Sequence, residues 1–266
     1  MPLSSVIIPP SAAHTHTIVF LHGRGDNAQT FSQSLQYFTD SRNRTLADAF
    51  PSFRWVFPQA ELSIPIAFPR DKVSQWFDIW NVSNFSEREE LQAEGLRGSV
   101  SRIREIINQE AQLVGGRYDR IILAGISQGA ATSVHTLLNL KLPEGQERLG
   151  AFLGFSCRMP FPGRNLADIR AILGLEDVPE DDRLLRNTPV LLEHCVDDPL
   201  VLIKNGRVLR NTLRGFGSQV EWKEYQDGGH WFNSPAGMDD VIRLLKALGF
   251  DEGKKMEQAS DAMDLS

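Results

Sequence analysis

The chain is poor in cysteine and contains no long apolar run. Only Cys157 and Cys195 occur among its 266 residues, and both lie in apolar, strand-like segments, so we interpret them as buried thiols rather than as a disulfide framework or a metal site. No segment approaches the roughly 20 consecutive apolar residues of a membrane-spanning helix. Residues 1–10 include no basic side chain, unlike a secretory signal. We therefore expect no stable membrane insertion and a cytoplasmic location.

An excess of positive charge is also missing. Lysine and arginine total 28 against 34 aspartates and glutamates, which gives a formal net charge of −6. This balance disfavours non-specific attraction to phosphate backbones, and we find no basic cluster or aromatic-rich RNA motif. No nucleic-acid partner is expected. The apolar fraction of 41% is ordinary for a globular protein with a substantial core.

Apolar, strand-like runs alternate with longer segments of helical periodicity. The predicted strands are Thr17–His22, Arg54–Phe57, Asp119–Gly125, Leu149–Ser156, Val190–Val196 and Gln219–Tyr225. The predicted helices are Thr30–Ala49, Glu87–Val114, Gly129–Leu140, Lys204–Gly215 and Gly237–Leu248. Near-continuous apolar strands that alternate with helices predict an α/β fold, with a mostly parallel sheet of about six or seven strands and helices on both faces.

No internal repeat or linker divides the chain. We predict an N-terminal arm over residues 1–16, a single domain over 17–250 and a flexible, polar C-terminal tail over 251–266. As an alternative to a loose arm, Val6–Ile8 adds an edge strand to the sheet. Residues 161–188 form a polar insertion with a short helical pattern.

A serine flanked by glycines follows the third predicted strand. The segment Gly125-Ile126-Ser127-Gln128-Gly129 has the form Gly-x-Ser-x-Gly, which is typical of a sharp strand-to-helix turn that exposes a serine hydroxyl at the end of a sheet. Glycines suit such a turn because the backbones of strand and helix approach closely there. Ser127 is therefore the predicted nucleophile of a serine hydrolase.

Chain order narrows the choice of a base for Ser127. A serine hydroxyl needs a histidine to accept its proton and a carboxylate to orient that histidine. In this kind of fold the three occur in the order Ser, Asp or Glu, His. Only His194 and His230 lie well beyond Ser127, and His194 precedes the best carboxylates. His230 lies in a glycine-rich turn between a strand and a helix, so we predict His230 as the base.

The acid is expected in the loop after the predicted strand Val190–Val196. Asp197 and Asp198 both qualify. We favour Asp198 because Pro199 follows it and fixes the direction of the chain there. For Asp197, a turn or helix-capping role is the stronger interpretation.

The oxyanion of an acyl-transfer intermediate requires two N–H donors. Gln128 follows the nucleophile at a helix N-terminus, where its backbone N–H and the helix dipole both favour an anion. The second donor is expected in a loop after an early strand. The turn His22–Asp26 fits this position, and we predict the backbone N–H of Arg24 as the donor, with His22 bracing the loop.

Several further motifs resemble those of one family. They are Phe20–Asp26, Phe57–Ala60, Gln75–Asp78, Arg120–Ala130, Ser156–Pro160, His194–Val201 and Gly228–His230. Together they resemble the acyl-protein thioesterase / lysophospholipase-like carboxylesterase family of α/β-hydrolases, in the family's order and over roughly residues 17–249. The resemblance implies Ser127 as nucleophile, Asp198 as acid and His230 as base, with oxyanion donors at Arg24 and Gln128.

The resemblance also implies that the loop 58–76 lies over the active site and helps to form an apolar acyl channel. The acyl-binding residues predicted on this basis are Leu62, Ile64, Ile66, Phe68, Trp76 and Met159. The chain departs from the family at two arginines. Arg24 stands where leucine is common, and Arg158 lies in a segment that usually reads Ser-Gly/Cys-Trp-Leu-Pro.

The leading hypothesis is a cytoplasmic serine hydrolase that cleaves acyl thioesters or carboxylic esters by way of an acyl-enzyme. It requires no metal or organic cofactor, its partners are acylated small molecules, lipids or proteins, and it is a monomer or a weak homodimer. A second hypothesis is a short-chain general carboxylesterase without a protein-depalmitoylating role, because Arg24 and Arg158 would favour small or anionic substrates. A non-catalytic binding protein on the same fold is the third, disfavoured because the full triad is present.

Overall fold

The computed structural model describes residues 3–250. Nine strands occur in this part of the chain: β1 Ser5–Ile8, β2 His16–Leu21, β3 Phe53–Pro58, β4 Leu62–Ser63, β5 Val73–Ser74, β6 Ile121–Ile126, β7 Ala151–Phe155, β8 Val190–Cys195 and β9 Val220–Tyr225. Its α-helices are α1 Ala28–Ser34, α2 Leu46–Ala49, α3 Gln92–Leu113, α4 Ser127–Asn139, α5 Leu166–Leu173, α6 Arg183–Asn187, α7 Ile203–Gly215 and α8 Ala236–Ala247. The six predicted strands are all present, with ends that differ by at most two residues.

Seven strands form one sheet in the order β1-β3-β2-β6-β7-β8-β9. Six of them are parallel, and β1 runs antiparallel to β3 at one edge. The strands β4 and β5 form a separate antiparallel pair. The predicted α/β fold with a mostly parallel sheet is therefore confirmed. The carboxyl ends of the parallel strands meet at one edge of the sheet, where ligands bind in such folds.

Both faces of the sheet are covered, and this explains why its strands are almost continuously apolar. On one face, side chains of α3, α4, α5, α6 and α7 pack against alternate residues of the central strands, such as Leu123. On the other face, α1, α2 and α8 pack against the intervening residues, such as Ile122 and Ala124. The sheet thus carries two hydrophobic cores.

The predicted continuous helix Thr30–Ala49 is wrong. The helix α1 ends at Ser34, a short 3-10 turn follows, and α2 occupies only Leu46–Ala49. Between them, the carboxylate of Asp40 accepts hydrogen bonds from the backbone N–H groups of Arg42 and Arg44, at 2.9 and 2.8 Å. Such local bonds compete with helical ones. A capping box between Thr45 and Asp48 then starts α2 anew.

The predicted N-terminal arm contains a strand, because Ser5–Ile8 pairs with β3. This is the edge-strand alternative. The insertion 161–188 holds α5 and α6, whereas the predicted tail 251–266 lies outside the described residues. Within residues 3–250, none of the helices combines the length and apolar character that crossing a bilayer requires.

Candidate active site

Ser127 lies at the junction of β6 and α4. Its φ is +55°, the left-handed region that is costly for a residue with a side chain. A Cβ built on Gly125 would lie 2.6 Å from the backbone nitrogen of Ala130, and one on Gly129 would lie 2.5 Å from the carbonyl oxygen of Leu21. The glycines are therefore required because α4 packs directly on β6 and on the end of β2. Because Gly125 and Gly129 lack side chains, the chain can make the tight turn that exposes the Ser127 hydroxyl.

The structure brings Ser127, His230 and Asp198 together. The Nε2 atom of His230 lies 2.8 Å from the Oγ of Ser127, and its Nδ1 lies 2.8 Å from Oδ2 of Asp198. Ser127 follows β6, Asp198 follows β8 and His230 follows β9, so the three residues meet where parallel strands end. The geometry is that of a nucleophile, a base and a carboxylate that orients the base.

Asp198 is buried, with a relative exposure of 2%. Burial by itself raises the pKa of this carboxyl group, but hydrogen bonds from His194, His230 and the N–H of Val201 outweigh it and hold the pKa well below its usual value. Its Oδ1 atom accepts from the N–H groups of Leu200 and Val201, each at 2.9 Å. Asp198 is thus a fixed carboxylate at neutral pH.

His194 is a second histidine at this carboxylate. Its Nε2 donates to the carbonyl of Val201 at 2.6 Å and lies 3.3 Å from Oδ2 of Asp198. From the sequence, His194 is only a disfavoured alternative to His230 as the base, and this bracing position is not evident. The available signal was its place at the end of β8, four residues before Asp198.

The loop after β2 is held rigidly beside Ser127. A Cβ built on Gly23 would lie 3.6 Å from the Cβ of Ser127. Behind the loop, Nε2 of His22 accepts from the N–H of Ala60 at 3.1 Å, so its Nδ1 carries the proton and donates to the carbonyl of Gly23 at 2.7 Å. Burial lowers the pKa of His22, which favours this neutral form. The side chain of Trp76 donates to the carbonyl of His22 at 2.8 Å.

Arg24 and Gln128, whose backbone N–H groups are the predicted oxyanion donors, are both anchored by their side chains to the segment 75–77. Gln128 belongs to the first turn of α4, where backbone N–H groups have no partner within the helix. Its side chain is engaged elsewhere, since Oε1 accepts from the N–H of Trp76 at 2.9 Å and Nε2 donates to the carbonyl of Phe77 at 2.7 Å. The side chain of Arg24 donates to Oε1 of Gln75 at 2.9 Å. The segment 75–77 therefore fixes both donor residues, a role that the sequence did not reveal.

A cavity of about 540 Å³ opens beside Ser127 and His230. Two segments that sequence reasoning did not select supply much of its apolar wall, one between β5 and α3 and one between β8 and α7. The apolar residues of these segments in the wall are Ile79, Val82, Phe85, Pro199, Leu200, Val201 and Leu202. Arg24, Arg158 and Lys204 also line the cavity, with Asp26 as the acidic residue in its wall.

The structure does not bring the predicted acyl-binding residues into this cavity. Leu62, Ile64, Ile66 and Phe68 are between 52% and 73% exposed, and none of them belongs to the cavity wall. Trp76 and Met159 are buried in the core, at 2% and 3% exposure. The family resemblance, in agreement with the apolar character of the loop, led to the prediction. In the structure these four side chains are exposed, and the segment after the loop, from Ile79, lines the cavity beside the nucleophile.

Comparison with known proteins agrees with this geometry. Residues 3–248 match the model of a family described as phospholipase/carboxylesterase. The chain belongs to this family. It is a hydrolase of the α/β-hydrolase superfamily, as the resemblance in the sequence implied.

The similar proteins include two fungal enzymes and one plant structure. Acyl-protein thioesterase 1 of Schizosaccharomyces pombe is 30% identical over 200 residues, 75% of this chain and 75% of that protein. Acyl-protein thioesterase 1 of Gibberella zeae is 28% identical and covers 92% of this chain and 95% of that protein. The crystal structure of Zea mays acyl-protein thioesterase 2 superposes with a TM-score of 0.70 at 24% identity, over 92% of this chain and 98% of that chain, and supports the fold.

Proposed function

We propose that this family member cleaves acyl thioesters or carboxylic esters with Ser127 as nucleophile, His230 as base and Asp198 as the orienting acid. The observation that carries the proposal is the continuous hydrogen-bonded chain from the Ser127 hydroxyl through His230 to Asp198, with both links at 2.8 Å. Ser127 and His230 line a cavity that is large enough for a small acyl ester.

In the first half-reaction, Oγ of Ser127 attacks the acyl carbon while Nε2 of His230 accepts its proton. The ionised Asp198 stabilises the resulting imidazolium, because its low pKa keeps the carboxylate charged. The backbone N–H groups of Arg24 and Gln128 stabilise the oxyanion, and loss of one such donor typically lowers kcat by about 10²–10³-fold. The imidazolium then protonates the leaving alcohol or thiol.

In the second half-reaction, water attacks the acyl-enzyme and His230 accepts its proton. The tetrahedral intermediate collapses, the Ser127 oxygen regains a proton from His230, and the carboxylic acid leaves. The chain's own residues thus suffice for the proposed steps without a bound cofactor.

The names of the fungal relatives favour thioesters of acylated proteins as substrates. The short-chain carboxylesterase alternative is supported by the arginines of the cavity wall. The cytoplasmic location and the monomeric or weakly dimeric state remain predictions from the sequence.

The substitution Ser127→Ala tests the proposed reaction. We expect turnover of p-nitrophenyl butyrate to fall by about 10⁴-fold or more, because the nucleophile is lost while binding contacts remain. Labelling by a fluorophosphonate should disappear in parallel. Ser86→Ala is the matched control, because Ser86 is exposed and outside the cavity wall. Near-normal turnover by Ser127→Ala would contradict the mechanism.

A further inference from the structure

Arg158 is a buried cation in the wall of the cavity beside Ser127. Its relative exposure is 6%, and it lines the same cavity as Ser127 and His230. Burial lowers the pKa of its guanidinium to about 10, so the group remains charged at neutral pH. A buried charge is costly unless it is paired. The question is therefore which group pairs with Arg158.

The protein supplies polar and aromatic contacts to Arg158 but no neutralising carboxylate. Nη2 of Arg158 donates to Oε1 of Gln92 at 2.7 Å. The guanidinium lies 4.2 Å from the ring centroid of Phe85 and 5.7 Å from that of Phe77. Within residues 3–250 it forms no ion pair. Glu89 contributes a longer-range attraction, and Oε1 of its carboxylate accepts from the N–H of Phe161 at 2.7 Å.

Gln92 has the geometry of a dedicated support for this cation. It is 1% exposed, and while Oε1 accepts from Arg158, its Nε2 donates to the carbonyl of Phe85 at 3.0 Å. A neutral amide therefore fixes the guanidinium and the adjacent ring without cancelling the positive charge. A guanidinium held in this way has donors left for a planar anion.

We propose that Arg158 determines specificity by binding a carboxylate on the ester or thioester that Ser127 attacks. This assignment rests on the proposed hydrolase function and deepens it. The carboxylate would complete the ion pair that the protein leaves open. Arg24, Arg158 and Lys204 outnumber Asp26 in the cavity wall, so the formal charge of the wall is positive although the whole chain is acidic. The remaining apolar wall would receive the carbon chain between the carboxylate and the reacting carbonyl.

Two substrate pairs distinguish the side of the scissile bond that carries the anion. p-Nitrophenyl hemiadipate and p-nitrophenyl hexanoate differ by a terminal carboxylate on the acyl group. para-Acetoxybenzoate and its methyl ester differ by a carboxylate on the leaving group. For each pair we would measure the ratio of kcat/KM for the anionic ester to that for the neutral one. Wild type should prefer the anionic member of at least one pair.

Arg158→Met and Gln92→Glu test the residue assignment. Arg158→Met removes the charge, and Gln92→Glu keeps the arginine but places a neutralising carboxylate against it. In the pair for which wild type prefers the anionic ester, both variants should lower the ratio of anionic to neutral kcat/KM by at least about tenfold. This is the size expected for a lost charge-assisted hydrogen bond. Arg158→Lys should retain part of the preference. Arg164→Met is the matched control and should leave the ratio unchanged, because Arg164 is an exposed arginine outside the cavity wall.

The outcomes separate the two proposals. A wild-type enzyme that prefers the neutral member of both pairs overturns the role of Arg158, while its turnover of those neutral esters still supports the hydrolase mechanism. Unchanged ratios in folded Arg158→Met or Gln92→Glu also overturn it. A wild-type enzyme that hydrolyses none of the four esters refutes the proposed function, and the assignment of Arg158 falls with it.

Discussion

Asp197 and Asp198 are neighbours in the chain but have opposite surroundings. Asp198 is buried, and its Oδ2 accepts a hydrogen bond from Nδ1 of His230 at 2.8 Å. Asp197 is exposed, and its Oδ1 accepts the N–H of Gly229 at 2.8 Å. The sequence favours Asp198 through Pro199 and the family resemblance, but Asp197 remains an alternative because two adjacent carboxylates after a strand have the same local signature. Asp197 instead supports the turn that carries His230.

Asp198→Asn and Asp197→Asn should therefore differ sharply. An amide at 198 removes the charge that stabilises the His230 imidazolium, and we expect kcat to fall by about 10⁴-fold. An amide at 197 keeps an oxygen for Gly229, so kcat should fall by less than about tenfold. Steady-state kinetics with p-nitrophenyl butyrate would check both variants, with circular dichroism to confirm folding. Comparable losses in the two variants would argue against Asp198 as the orienting acid.

The two long helices α3 and α4 tolerate substitution of glycine very differently. Gly129 in α4 lies against the backbone of β2, whereas a Cβ on Gly98 in α3 would contact nothing within 4 Å. The first glycine is required by packing and the second only weakens the helix. Both are ordinary helical glycines in the sequence, apart from the Gly-x-Ser-x-Gly context of Gly129.

Gly129→Ala and Gly98→Ala test this difference. Gly129→Ala should lower the free energy of unfolding by about 2 kcal/mol or more and reduce activity, because α4 must move away from β2 and carry Ser127 with it. Gly98→Ala should raise the free energy of unfolding by about 0.5–1 kcal/mol through helix propensity. Urea denaturation would measure both. Equal stability of the two variants would contradict the close approach of α4 and β2.

A fully buried histidine in α4 links the stability of the fold to pH. Burial lowers the pKa of His135 to about 4, although its bond to the carbonyl of Pro160 opposes this shift. The unfolded chain has a histidine pKa near 6.5 and binds the proton first as the pH falls. The contribution of His135 is therefore fully present above pH 6.5 and is lost as the pH falls toward 4.

His135→Gln should remove this part of the pH dependence. For the native protein, the His135 contribution to the free energy of unfolding falls by about 2 kcal/mol between pH 7.5 and pH 5. Over the same interval, the free energy of unfolding of the glutamine variant should fall by about 2 kcal/mol less than that of the native protein. This difference does not depend on the variant's stability at pH 7.5. Urea titrations of both proteins at the two pH values give the comparison. An identical pH dependence would show that His135 is not held neutral.

The cavity is assembled from segments that are far apart in the chain and meet only at the carboxyl edge of the sheet. Val82 is 54% exposed and belongs to its wall, whereas Phe68, 73% exposed, lies outside the wall on the loop that the sequence favoured. The seven-stranded sheet, with β1 and β9 at its edges, joins these segments. The accepted acyl length is thus a property of the assembled molecule.

Val82→Phe and Phe68→Ser should have different chain-length profiles. A phenyl ring at 82 narrows the cavity, and we expect kcat/KM for p-nitrophenyl octanoate to fall by about tenfold or more relative to the acetate. Phe68→Ser alters an exposed side chain and should change this ratio by less than about twofold. An acyl series from acetate to decanoate would measure the profiles. If Phe68→Ser changed the ratio more than Val82→Phe, the result would support the loop 58–76 as the acyl channel.

The sequence by itself determined the alternation of strands and helices and the turn at Ser127, because periodicity and close-packed glycines are local properties. It also narrowed the predicted base to His230, because few histidines follow Ser127 and the order of residues is read directly from the chain. The sequence favoured Asp198 over Asp197, but only the tertiary structure showed that Asp198 contacts His230 while Asp197 contacts Gly229. It also showed that segments other than the apolar loop form the cavity wall. It alone revealed that Gln92, 66 residues from Arg158 in the chain, holds that arginine without neutralising it. Burial and charge pairing depend on residues distant in sequence, so no local pattern determines them.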